Sequence, residues 1–405
     1  MKRLRTQLVF FIASRTILNT AYRMVYPFLP VFARGLGVDL KTMSLALSAR
    51  AASGALGPLL APLTDRHGRK FGLSLGFGLF TAGALFAFFG LGFTAFAAAL
   101  VLMTLGKYAF DPAVLAHLGD LVPYERRGRA QALTELSWAL AFILGIPAAG
   151  FLAGRYGWRS PFLALSFLGM AGLIAVRMSF PGGGETGRSA AVSLAGRPQV
   201  RRVGHLESFR AVFGSPAALA ALGLNFTASM ANEMVNLVFG VWLEDSFGLK
   251  IAALGAAAAV IGISEFAGEG LVAATVDRVG KLKALMIGLC ANSAAAILLP
   301  FAGRTTVTAL AGLTFFYLTF EYTVVSIIPV MSEILPRSRA TLLAFSAASF
   351  SLGRAIGSFV SPRLYGLGFP AVALAAVGLN AIAFLFLLRL RRLSAGRHHV
   401  SQHRD

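Results

Sequence analysis

Apolar and polar residues follow one another along this chain in long blocks. Twelve predominantly apolar stretches stand out, at about 7–33, 42–63, 71–90, 95–117, 130–153, 159–179, 216–243, 251–275, 283–302, 306–331, 340–361 and 369–389. A helix of about 20 residues crosses the roughly 30 Å of a bilayer core, so each stretch predicts a membrane-spanning helix. The first, seventh and eleventh are the least apolar, the pattern expected of helices that line something wet. Residues 180–212 break the rhythm. They open on Pro181-Gly182-Gly183-Gly184 and carry Arg188, Arg197, Arg201 and Arg202, with no run long enough to span. Such a segment reads as a mostly flexible cytoplasmic linker between six spans and six more.

The halves repeat. Asp65-Arg66-His67-Gly68-Arg69-Lys70 follows the second stretch and Asp277-Arg278-Val279-Gly280-Lys281 follows the eighth, so that Asp65 and Asp277 stand 212 residues apart. Asp120-Leu121-Val122-Pro123 follows the fourth and Glu333-Ile334-Leu335-Pro336 the tenth, with the prolines 213 residues apart. Two landmarks sharing one offset indicate a duplicated six-span unit, and binding at the interface of such copies is a transporter architecture. The expected fold is an all-α membrane protein of twelve transmembrane helices in two pseudo-symmetric six-helix bundles. The bundles cover 1–179 and 213–392, with the linker at 180–212 between them and a cytoplasmic tail at 393–405.

Composition narrows the function. The 405 residues are 57% hydrophobic and 13% charged, about half the charge density of a soluble domain. A net charge of +20 raises nucleic acid as a partner, yet the basic residues sit between apolar runs and not on one face of a soluble module, which excludes it. With the N-terminus inside, most of the 37 Lys and Arg fall on the cytoplasmic side, which places both termini there, in the cell's inner or plasma membrane. The apolar run after Met1-Lys2-Arg3-Leu4-Arg5 is too long for a signal peptide and reads as a retained first span. Cys290 is the one cysteine, read as a small packing residue, so neither a disulfide framework nor a metal cluster is expected. No H-E-x-x-H or phosphate-binding loop is present, so no enzyme activity, cofactor or metal is expected. His117, His205, His398, His399 and His403 read as topology-side or solvated residues.

The loop Asp65-Arg66-His67-Gly68-Arg69-Lys70 resembles the signature G-x-x-x-D-R-x-G-R-[KR] of the major facilitator superfamily, with Ala61 at the leading glycine position. The resemblance covers essentially the whole chain. It implies that Asp65, Arg66, Gly68 and Arg69 form a cytoplasmic gate with Asp120, copied more weakly by Asp277, Lys281 and Glu333. Gly145-Ile146-Pro147-Ala148-Ala149-Gly150 partly resembles a motif of the exporter branch; close helix packing explains it as well as an antiport signature does. Trp158, after Gly157, reads as an interfacial anchor.

Ionisable residues inside spans are costly and mark candidate function. They are Arg15, Arg23, Arg50, Lys107, Asp111 and Glu135 in the first half, and Glu233, Glu265, Glu269, Glu321 and Arg354 in the second. Arg15, Asn19 and Arg23 share one helix face, flanked by Tyr22 and Tyr26. Asn225, Asn232, Glu233 and Asn236 mark a comparable face on the seventh span. In the family, spans one, four, seven and ten line the central cavity. Candidate substrate ligands are therefore Arg15, Asn19, Arg23, Tyr26, Lys107, Asp111, Asn232, Asn236 and Glu321, with Lys107 and Glu321 at its centre. Asp111, Glu233 and Glu321 are candidate proton carriers, and Arg50 and Arg354 candidate gate residues. Structural pairing competes with function for Lys107 with Asp111, for Glu135 near Arg126 and Arg129, and for Glu269 near Arg278 and Lys281.

The expected function is secondary active transport of a small organic molecule by a monomer, as proton-coupled efflux. The alternative is uptake or flipping of an anionic carboxylate or phosphate, which four cations in the first half would suit. A non-transporting sensor is a third reading, weakened by the lack of a large soluble domain.

Overall fold

The computed structural model describes residues 2–57, 67–122, 133–179, 205–302 and 304–402. Among the described residues every regular element is a helix. The first unit contains α1 (Lys2–Arg23), α2 (Leu29–Leu36), α3 (Leu40–Ser53), α4 (Arg69–Phe89), α5 (Gly92–Leu121), α6 (Leu133–Tyr156) and α7 (Ser160–Ser179). After it come α8 (His205–Phe213), α9 (Pro216–Phe247), α10 (Ile251–Val279), α11 (Lys281–Ala302), α12 (Thr306–Ile334), α13 (Arg339–Tyr365) and α14 (Phe369–Gln402). Every expected span is met by one of these helices, the first by α1 and α2 together. Among the described residues nine helices are long and apolar enough to cross a bilayer alone, or ten if α8 and α9, bent by 73°, count as one span. The first two spans fall short because α1 carries its charges along its length and the described part of the second stops at Gly57. The end of the expected linker is helical, as α8; its residues 180–204 lie outside the described residues.

The breaks have local causes. Pro27 offers no amide to the Arg23 carbonyl, and a proline ring crowds the carbonyl four residues back, so α1 ends at Arg23 and α2 begins with Pro30 in its first turn. The amide of Tyr26 turns to the Arg23 carbonyl at 3.2 Å, which leaves the Tyr22 carbonyl without its usual helical partner. In α6 a single π turn, Ala141–Gly145, precedes Pro147 and absorbs the same defect without breaking the helix. Asp39 caps α3, its carboxylate accepting from the Thr42 amide at 2.8 Å.

Glycine sets how closely helices approach. A Cβ at Gly76 of α4 would lie 2.9 Å from the Gly106 carbonyl of α5, so these helices touch backbone to backbone. Gly353 of α13 meets the Phe226 carbonyl of α9 in the same way, its Cβ position 2.3 Å away. Gly145, at the end of the π turn, lies against Thr20 of α1, so the Gly-Pro motif is at least a packing device.

The turns repeat as the motifs do. Gly68 and Gly280 precede α4 and α11 at φ 89° and 90°, backbone that only glycine adopts freely. Gly37 pairs with Gly248 (66° and 63°) and Gly157 with Gly368 (90° and 104°). These three pairs stand 212, 211 and 211 residues apart.

The chain folds as two compact units: Met1–Val200 with Gly248–Gly262, and Arg201–Phe247 with Ile263–Asp405. The first turns of α10 thus belong with the first unit, where Gly262 backs directly onto the Phe142 ring. Two side chains differ from expectation. Cys290 is exposed on its helix and packs no core. His117 is not solvated: its Nε2 is buried and its ring stands 5.5 Å edge-on to Phe11.

Candidate functional site

The polar stripe of α1 faces α5 and α6, and Arg15 and Asn19 are engaged there. Arg15, 5% exposed, donates through Nε to Asp111 Oδ1 at 3.2 Å and through Nη1 to Glu135 Oε1 at 2.9 Å. Lys107 Nζ donates to the other Asp111 oxygen and to Asn19 Oδ1, each at 2.6 Å. Asn19 passes the chain on, donating from Nδ2 to Ser137 Oγ at 3.1 Å. Two cations therefore meet two carboxylates, with Asp111 as the bridge. One aromatic ring closes the cluster: Trp138 has Lys107 Nζ 4.6 Å and the Arg23 guanidinium 5.1 Å from its centroid. Glu135, expected near Arg126 and Arg129, is bound by Arg15; the two arginines lie outside the described residues.

Arg50 of α3 serves the break in the first span. Nη1 donates to the orphaned Tyr22 carbonyl and Nη2 to the Tyr26 hydroxyl, both at 2.7 Å. Its guanidinium also lies 4.4 Å and 4.9 Å from the rings of Tyr22 and Tyr26.

In the second unit the chemistry is similar with its polarity reversed. Here the acid is on the unit's first long helix: Glu233 of α9 is wholly buried and accepts from Arg354 of α13 through both Nε and Nη2 at 2.9 Å. Ser358 donates to Glu233 Oε1 at 2.7 Å and Asn236 to Oε2 at 3.0 Å. Tyr317 of α12 completes the chain, donating to Asn236 Oδ1 at 2.9 Å. Asn232 stands 213 residues from Asn19, and its Nδ2 is buried without a hydrogen-bond partner among the described residues. Glu321 is half-buried on α12 beside Gly268 of α10, where an added Cβ would come within 3.0 Å of the Glu321 Cβ.

Two further ion pairs occupy equivalent ends of the repeat. Arg69 at the start of α4 holds Asp120 near the end of α5 at 3.2 Å, and Lys281 at the start of α11 holds Glu333 near the end of α12. Asp277 is exposed on the last turns of α10, and Asp65 and Arg66 lie outside the described residues. Ser137, Trp138, Tyr317 and Ser358 escaped the sequence reading because neutral residues in a span carry no burial penalty of their own. One signal was available: Ser358 is one helical turn from Arg354, and Tyr317 one turn from Glu321.

Helices broken at prolines, a duplicated unit and buried polar chains define a membrane carrier protein, not an enzyme. Residues 11–316 and 221–404 match the model of the Major Facilitator Superfamily. The MFS-type transporter YwfA of Bacillus subtilis is 26% identical over 364 residues, 89% of this chain and 86% of that protein. A chloramphenicol resistance protein of Streptomyces lividans is 28% identical over 265 residues, 64% of each. Among solved structures, an inward-facing, unoccupied bacterial homolog of the human lysosomal transporter Spinster superposes with a TM-score of 0.72 at 16% identity, covering 96% of this chain and 98% of that one. A D-xylose-proton symporter gives 0.73 at 14% identity over 94% and 96%. The chain belongs to the Major Facilitator Superfamily and is a secondary transporter of the multi-pass, twelve-helix kind.

Proposed function

We propose that the chain exports a small organic molecule in exchange for protons, as a monomer with both termini in the cytoplasm. The observation that carries the coupling is Glu233: a wholly buried acid whose charge is balanced by Arg354, Ser358 and Asn236. A proton arriving there cancels the negative member of the pair, weakens the carboxyl as an acceptor for Arg354 and loosens α13 against α9. Glu321, only half-buried, is the second candidate carrier. Asp111 is the weakest of the three because two cations hold its charge in place. Export is supported by the likeness to the chloramphenicol resistance protein and, over a shorter stretch, to multidrug resistance protein 2 of Bacillus subtilis. Arg23 and Trp138 form the face offered to the cargo in the first unit, with the buried Lys107, Asn19 and Tyr26 behind it; Asn232, Asn236 and Glu321 are the counterparts in the second. The alternative of an anionic cargo loses two of its four cations, since Arg15 and Lys107 already hold carboxylates.

Proteoliposomes test the coupling. Under an imposed pH gradient the wild type acidifies or alkalinises the lumen when cargo is added, and Glu233→Gln exchanges cargo without moving protons. Unchanged proton movement in that variant and in Glu321→Gln would remove both assignments.

A further inference from the structure

Arg50 has no counter-ion among the described residues. It is 1% exposed, and no carboxylate described lies within ion-pair distance, whereas Arg15, Lys107 and Arg354 each meet one. Two tyrosine rings and two neutral oxygens receive the guanidinium, which satisfies Nη1 and Nη2 but offsets only part of the cost of burying a charge. Its Nε is buried and donates to nothing among the described residues.

A small cavity lies against this side chain. Arg50 and Tyr22 line it with Leu18, Leu100, Met103 and Thr104, and it has room for little more than a water-sized atom. Thr104 is 3% exposed, and its hydroxyl makes no hydrogen bond to the described residues. One small space is therefore lined by a cation that has no described anion and an unused Nε–H, and by the Thr104 side chain, in mostly apolar walls. A water molecule would accept from Nε but would leave the charge uncompensated. A carboxylate or phosphate cargo is too large to enter.

We propose that this cavity binds a monatomic anion, a halide of the chloride kind, held by Arg50 Nε–H and the Thr104 hydroxyl. None of Arg15, Asp111 and Lys107 lines this cavity, and the proposal does not depend on what the cargo is. By balancing Arg50 it fixes the side chain that holds the Tyr22 carbonyl at the break between α1 and α2.

Thermal unfolding of the purified full-length protein in sodium chloride, bromide or iodide, each against sodium gluconate at equal ionic strength, tests the site. The wild type is expected to gain a few degrees saturably with chloride, less with bromide, and nothing with the oversized iodide or with gluconate, since only a ligand of the folded state raises the midpoint. Thr104→Val should raise the half-saturating halide concentration about tenfold, the effect of one lost hydrogen bond to a charged group. Arg50→Lys, which keeps the charge and moves the donor, should abolish the halide response. Equal midpoints in chloride and gluconate for the wild type would mean that water fills the cavity and would overturn the proposal. So would a halide response left intact in Thr104→Val, a variant that decides the matter even if Arg50→Lys does not fold.

Discussion

Glu233 and Arg354 set the scale of what one residue can do here. Both are almost fully buried, so truncating Arg354 strands a charged acid, and Arg354→Ala should cost about 3–5 kcal/mol of stability. Glu233→Leu combined with Arg354→Met should restore most of that in thermal unfolding while leaving transport inactive. The sequence marked both residues as costly intramembrane charges, yet it could not join them, because partners 121 positions apart share no helical spacing. The same holds for Arg15 with Asp111 and Glu135; only Lys107 and Asp111, one turn apart, were legible as a pair. Outside the membrane, the Thr42 side chain and amide hold the Asp39 carboxyl below the usual carboxylate range. A lowered folded-state pKa means the cap contributes above the ordinary Asp value of about 3.9 and is lost as pH falls through the folded value. Protection of the Thr42 amide, measured against its intrinsic exchange rate, should therefore hold at neutral pH and fall only below about pH 3.9, with Asp39→Ala weakly protected throughout.

At the level of elements, the spans were readable because apolar runs of bilayer length have almost no use outside a bilayer. The π turn at Ala141–Gly145 was not readable, since a proline in a helix can be met by a kink, a bulge or a break, and the neighbours decide which. Here Thr20 presses on Gly145 and Phe142 on Gly262, so the bulge is held from two sides. A Cβ at Gly262 would fall 2.1 Å from the Phe142 Cβ, so Gly262→Ala should destabilise by about 1–3 kcal/mol. Phe142→Gly in the same chain, which removes that Cβ, should recover part of the loss. Recovery would be read as a non-additive double-mutant cycle in chemical or thermal unfolding.

For the whole molecule, the two kinds of ion pair contrast in strength. Arg69–Asp120 and Lys281–Glu333 are partly exposed, with carboxylate exposures of 46% and 63%, and exposed pairs are worth little, about 0–1 kcal/mol. On the proposed mechanism, weakness would suit a latch that opens in every cycle, and a pair as buried as Glu233–Arg354 would suit a joint that yields on protonation. Arg69→Asp and Asp120→Arg should each slow transport in proteoliposomes, and the exchanged double variant should regain much of the rate without much change in unfolding midpoint. The duplication itself was plain from the charged motifs at offsets of 212 and 213, but the glycine pairs were hidden among 44 glycines. Those six turns carry a consequence for how the protein tolerates change. Glycine is the one achiral residue, and Gly68 and Gly157 occupy backbone that a chiral residue enters at about 1–3 kcal/mol. No described residue comes within 4 Å of a Cβ at either, so a mutant side chain would meet no clash among them, only the wrong hand. One such replacement is survivable; all six together would consume a sum of the same order as the 5–15 kcal/mol that holds a typical domain folded. A lineage of this carrier can therefore lose any one of these glycines silently and fail only on the third or fourth, long after the first was fixed.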